Sequence, residues 1–100
     1  MKEKKVVTLD LTGCQYLLEL HERIKVAFDF PDFYGKNWDA FWDLLSTECD
    51  AEKIVVIGSR GLPSALREYG SKMIDILHKH RRHMANYGEI VEIKLVDDNE

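Results

Sequence analysis

The run Ile54-Val55-Val56-Ile57 constrains the fold more than any other stretch of the chain. Consecutive β-branched residues favour extended backbone, because branching at Cβ restricts χ1 in a helix and packs well on a pleated surface. Apolar residues at every position, not at alternate ones, are the pattern of a strand buried on both faces, as in a parallel sheet. Gly58-Ser59-Arg60-Gly61 closes the run. Parallel strands cannot be joined by hairpins, so the segments on either side should be helical crossovers leading from and to flanking strands.

The flanking segments fit that demand. Val6 to Leu11 is a short β-branched run followed by Thr12-Gly13-Cys14-Gln15, which has the form of a capping box, with Leu11 and Tyr16 at the staple positions. Leu17, Leu20, Ile24, Ala27 and Phe28 then recur at helical spacing. This helix should stop near Phe30, since Pro31 disfavours helical backbone at the residue before it. Pro31 to Lys36 reads as a loop in which Gly35 supplies a positive φ, and Asn37 as the N-cap of a second helix from Trp38 to about Thr47.

After Ile57, Pro63 suits the first position of a short helix carrying Leu66 and Tyr69, with Gly70 as its exit. A last helix from Ser71 carries Met73, Ile74, Leu77 and Met84 and ends in the basic His78-Lys79-His80-Arg81-Arg82-His83 run. Tyr87-Gly88 turns the chain into a strand over Ile90 to Val96, and Asp97 to Glu100 reads as a frayed polar tail. The expected architecture is a single α/β domain over residues 1–100. It is a small three-stranded parallel sheet with helices in the crossovers, in the order β-α-α-β-α-α-β.

Composition narrows the function classes. A net charge of -4 disfavours direct binding of nucleic acid, which needs a surplus of Lys and Arg on one face, and favours a basic partner. Met1 to Lys5 has the charge of a secretion signal, but the apolar run after it is cut at Asp10, so the expected location is the cytoplasm. Nothing marks a membrane span. Cys14 and Cys49 lack metal or redox spacing and read as reduced packing residues. A monomer without cofactor is the expectation.

The second helix is where chemistry concentrates. At about 100° per residue, Phe41, Leu44 and Leu45 gather on Trp38's side, while Asp39, Asp43 and Ser46 gather opposite, with Trp42 at the seam. Asp39 and Asp43 are an i,i+4 pair of like charge, costing about 0.2–0.5 kcal/mol. From Asp29 to Glu52 the acids Asp29, Asp32, Asp39, Asp43, Glu48, Asp50 and Glu52 face Lys36 alone. A charge run is commonly a solvated face, and Asp39 in the first turn suits the helix dipole. Asp43 lies beyond that effect. An aromatic at the seam beside unpaired acids, reached through a Gly-containing loop, is the anchor-and-charge pattern of a binding surface.

The stretch Leu20 to Leu45, LHERIKVAFDFPDFYGKNWDAFWDLL, resembles the signature of the barstar family, small cytosolic inhibitors of secreted ribonucleases. The Leu-His pair, the Pro-acid-aromatic-Tyr-Gly run and the Asn-x-Asp-Ala-x-Trp-Asp core all stand in the family's order and spacing. The resemblance implies that the second helix and the loop before it plug a ribonuclease active site. Phe33 would lie against the active-site imidazole, and Gly35 and Asn37 would shape the loop and contact the target. Asp39 would meet a basic rim residue, Trp42 would be the hydrophobic anchor, Asp43 the phosphate mimic, and Ser46 would add a hydrogen bond.

The chain departs from the pattern at three places. Phe33 stands where the best-known member has tyrosine, the Thr47-to-Lys53 segment lacks a Gly-Trp, and the last helix offers His80 in a basic run where an acid is expected. A binding module of the same fold for a different basic protein is therefore the alternative. A hydrolase would need the two acids sequestered so that one pKa moves toward neutrality, which one exposed helical face does not provide. A metal site on His78, His80 and His83 is opposed by the interleaved Lys79, Arg81 and Arg82, so no metal is expected.

Overall fold

The computed structural model describes residues 5–96; the basic start at Met1 to Lys4 and the polar tail from Asp97 lie outside the described residues. The elements are β1 (Val6–Asp10), α1 (Leu17–Phe28), α2 (Trp38–Glu48), β2 (Lys53–Ile57), a 3-10 turn (Ser59–Gly61), α3 (Ser64–Ala85) and β3 (Glu92–Val96). The strands form one sheet in the order β1-β2-β3, parallel throughout. Thr8 pairs with Val55, and Val55 with Lys94. The expected small three-stranded parallel sheet with helical crossovers is the observed architecture.

Burial falls on one face of the sheet. Val7, Leu9, Ile54 and Val56 are buried, whereas Val6, Thr8 and Asp10 are exposed and Lys53, Val55 and Ile57 half-buried. The uninterrupted apolar run of β2 led to an expectation of burial on both faces, and the structure corrects it. Two crossovers that step in the same direction across three strands, with the usual right-handed sense, place their helices on the same side. The second face carries no helix of its own and is exposed at β1 and half-buried at β2.

Three local expectations are also corrected. Thr12 does not cap α1: its N–H is bonded to the Asp10 carboxylate at 2.9 Å, and α1 starts later, at Leu17, preceded by Tyr16, which makes no side-chain cap. Gln15 N–H instead bonds the Glu19 carboxylate at 2.9 Å, so the acid at the first turn does the capping work. α1 ends at Phe28, where Asp29 takes left-handed backbone (φ 55) and Phe30 N–H reaches Lys25 O at 2.9 Å. That Schellman-type ending turns Phe30 back to stack on Phe28, with ring centroids 5.4 Å apart.

The third correction concerns α3, a single helix of 22 residues where two were expected. Gly70 is not an exit. It is buried inside the helix, and a Cβ placed there would sit 2.6 Å from Leu62 Cδ1. The glycine lets α3 lie close against the segment that follows the 3-10 turn, and helix propensity yields to packing. Pro63 stands one position earlier than expected, as the residue preceding the helix.

Candidate functional site

The loop between α1 and α2 is built on a buried aromatic floor. Phe28, Phe30, Tyr34 and Phe41 are all buried, with Phe30 centred 5.3 Å from Tyr34 and Phe41 6.0 Å from Trp38. His21, buried on α1, holds Tyr34 Oη at 2.7 Å through Nδ1 and packs against Trp38 at 4.6 Å. Burial, aided by the positive charge of Lys36, holds the His21 imidazole below its ordinary pKa, and burial pushes the Tyr34 hydroxyl above its own. Both are neutral at pH 7. With Tyr34 anchored inward, its neighbour Phe33 points out and is 76% exposed.

Within Pro31 to Lys36 the left-handed residue is Lys36 (φ 56), not Gly35 as expected. Lys36 extends its ammonium to Glu22 on α1, an ion pair that ties the loop to the first helix. A Cβ at Gly35 would lie 3.4 Å from both Ala40 Cβ and Asn37 Nδ2, ordinary contact distances, so neither space nor a left-handed backbone demands glycine there. Asn37 does cap α2: its Oδ1 accepts from Ala40 N–H at 2.8 Å, and its Nδ2 donates to Gly35 O at 3.3 Å. The cap thus fixes both the start of α2 and the backbone that leads into it.

On α2, Phe41, Leu44 and Leu45 are buried in the core and Trp38 is half-buried beside them. Asp39 and Asp43 are exposed, and among the described residues no ion pair reaches either carboxylate. Ser46, half-exposed, donates its hydroxyl to Trp42 O at 2.8 Å, with Asp43 O at 3.1 Å. Its oxygen keeps acceptor capacity toward solvent. The only lysine of the acidic segment is engaged with Glu22, and Lys25 pairs with Asp32 at 3.0 Å. These two lysines thus go to acids away from the exposed face of α2.

Trp42 lies half-buried between α2 and α3. Lys79 Nζ sits 4.4 Å from its ring centre, and His83 meets it edge-on at 5.6 Å. His83 in turn meets Tyr87 at 5.3 Å. These neighbours were not legible in the chain, because Trp42 and His83 are far apart along it and the basic run reads as a solvated helix end. One member of that run is misread outright: His80 is completely buried, and neither ring nitrogen has a hydrogen-bond partner.

The arrangement offers a cationic visitor two exposed carboxylates without an ion pair among the described residues, a half-buried indole and an exposed phenyl ring. No helix among the described residues is long and apolar enough to cross a membrane. The family model described as Barstar (barnase inhibitor) matches residues 4–96. A protein of Bacillus subtilis (strain 168) named "Putative ribonuclease inhibitor YrdF" is 27% identical over 73 residues, covering 72% of this chain and 80% of that protein.

Proposed function

From the premise that this chain belongs to the barstar family, we propose that it is a stoichiometric protein inhibitor of a ribonuclease, acting without chemistry of its own. The α1–α2 loop and the acidic face of α2 enter the cationic site that would otherwise hold RNA phosphates. Asp43 takes the position of a phosphate and Asp39 meets a basic residue at the rim. Trp42 anchors the contact, Phe33 lies on the active-site imidazole, and Gly35, Asn37 and Ser46 shape the loop and add polar contacts.

The observation that carries this reading is the pair Asp39 and Asp43, exposed and without ion pairs among the described residues on a helix whose other face is core. A ribonuclease must stabilise a doubly charged, phosphorane-like transition state, so its site is cationic. Carboxylates already fixed by a capped helix gain charge-assisted bonds there at little ordering cost. Opposed charge also speeds encounter.

The test is titration of this protein into barnase assayed on RNA. Activity that falls linearly to zero near one equivalent supports the reading, provided the same addition of Asp43→Ala fails to inhibit. Undiminished RNA hydrolysis at large excess, by barnase and by other basic secreted ribonucleases alike, would leave a binding module for another basic protein.

A further inference from the structure

We infer that the partner-binding surface is bipolar: the C-terminal part of α3 continues it beyond Trp42 and selects ribonucleases whose cationic site is bordered by an acidic rim. The inference rests on the inhibitor reading and adds a specificity element to it. The indole of Trp42 separates two sets of uncompensated charge. On the α2 side stand Asp39 and Asp43; on the α3 side stand Lys79 and Arg82, both exposed and, among the described residues, without an ion pair.

The helix dipole does not account for the second set. It favours cations in the last turn, which covers Arg82 and His83, but Lys79 stands well before the end of α3 at Ala85. Lys79 is placed instead by Trp42, with its ammonium 4.4 Å from the ring centre. That contact leaves Arg82 free, one turn further along the same side. Earlier on α3, Arg67 and Lys72 are matched in number by Glu68 and Asp75, whereas Lys79, Arg81 and Arg82 are followed by no acid before Ala85, so the surplus of positive charge is confined to the end of the helix nearest Trp42.

The surface is also continuous. Trp42, His83 and Tyr87 form an edge-on aromatic series, and Tyr87 is 72% exposed. A partner whose basic pocket closes over Asp39 and Asp43 therefore reaches this strip at its border, and carboxylates there would meet Lys79 and Arg82. A basic border would be repelled, which is how a rim sets specificity and orientation.

The probe is barnase together with two variants of it, in which a pair of residues bordering the active site on the α3 side is made acidic in one and basic in the other. Dissociation constants are measured for the wild-type inhibitor, for Lys79→Glu/Arg82→Glu and for Lys79→Ala/Arg82→Ala, with folding checked by thermal denaturation. We expect the wild type to prefer the acidic rim by about tenfold, the charge reversal to invert that order, and the alanine pair to abolish it. Equal affinity for both rims, with binding still lost in Asp43→Ala, overturns the α3 contribution and leaves the inhibitor reading standing. No binding to any of the three overturns both. Binding of a short single-stranded RNA that the charge reversal abolishes also overturns the inference, by giving the strip to nucleic acid.

Discussion

Asp43 and Phe41 sit two positions apart on α2 and should respond oppositely to truncation. Phe41 is completely buried and touches the rings of Phe28, Phe30 and Trp38. Phe41→Ala removes that packing and leaves a cavity, at a cost of about 3–5 kcal/mol in denaturant unfolding. Asp43 has no ion pair among the described residues to lose, and its removal relieves the repulsion from Asp39. Asp43→Ala should leave stability within about 0.5 kcal/mol of wild type. The same change should weaken ribonuclease binding by about 2–5 kcal/mol in a titration, because it strands a desolvated cation on the partner. Comparable unfolding midpoints for the two variants would mean that the helix faces are wrongly assigned.

At the scale of elements, Gly70 allows α3 to lie close against Leu62. An exposed helical glycine replaced by alanine gains about 1 kcal/mol from propensity. Here the added methyl meets the buried Leu62 side chain, so Gly70→Ala should instead cost about 1 kcal/mol in denaturant unfolding. The loop before α2 depends on another contact between elements. His21 supports Tyr34 from beneath, and His21→Ala should loosen Phe33 and the α2 N-terminus, seen as faster amide exchange from Tyr34 to Ala40.

At the scale of the whole molecule, two buried imidazoles tie stability to pH. Burial holds His21 and His80 below the ordinary histidine pKa, aided by Lys36 at the first and by His83 at the second. The unfolded chain therefore takes up protons first as pH falls. Stability is complete above about pH 6.5 and declines below it until the folded-state values are reached. Urea midpoints measured from pH 7.5 to 5.5 should fall accordingly, and His80→Leu should flatten the slope. That variant should not lose stability at pH 7, since it removes two unpartnered ring nitrogens from the core. Charge segregation acts at the same scale: association with a basic partner should slow as salt is raised, with the dissociation rate changing less.

The chain by itself determined the three strands and their parallel sheet, the first two helices, and the two faces of α2. All of these rest on periodicity and caps, whose energies are local: Phe41, Leu44 and Leu45 share a side of any helix built from this stretch, and Asn37 caps it in any context. Only the tertiary structure decided that Lys36 and not Gly35 turns the loop, that Gly70 continues α3, that His80 is core, and that Lys79, His83 and Tyr87 surround Trp42. Each of those depends on an atom from a distant part of the chain. Glu22 draws Lys36 across to α1, Leu62 lies where a Cβ at residue 70 would stand, and the packing of α3 on α2 brings a basic helix end to an indole forty residues away.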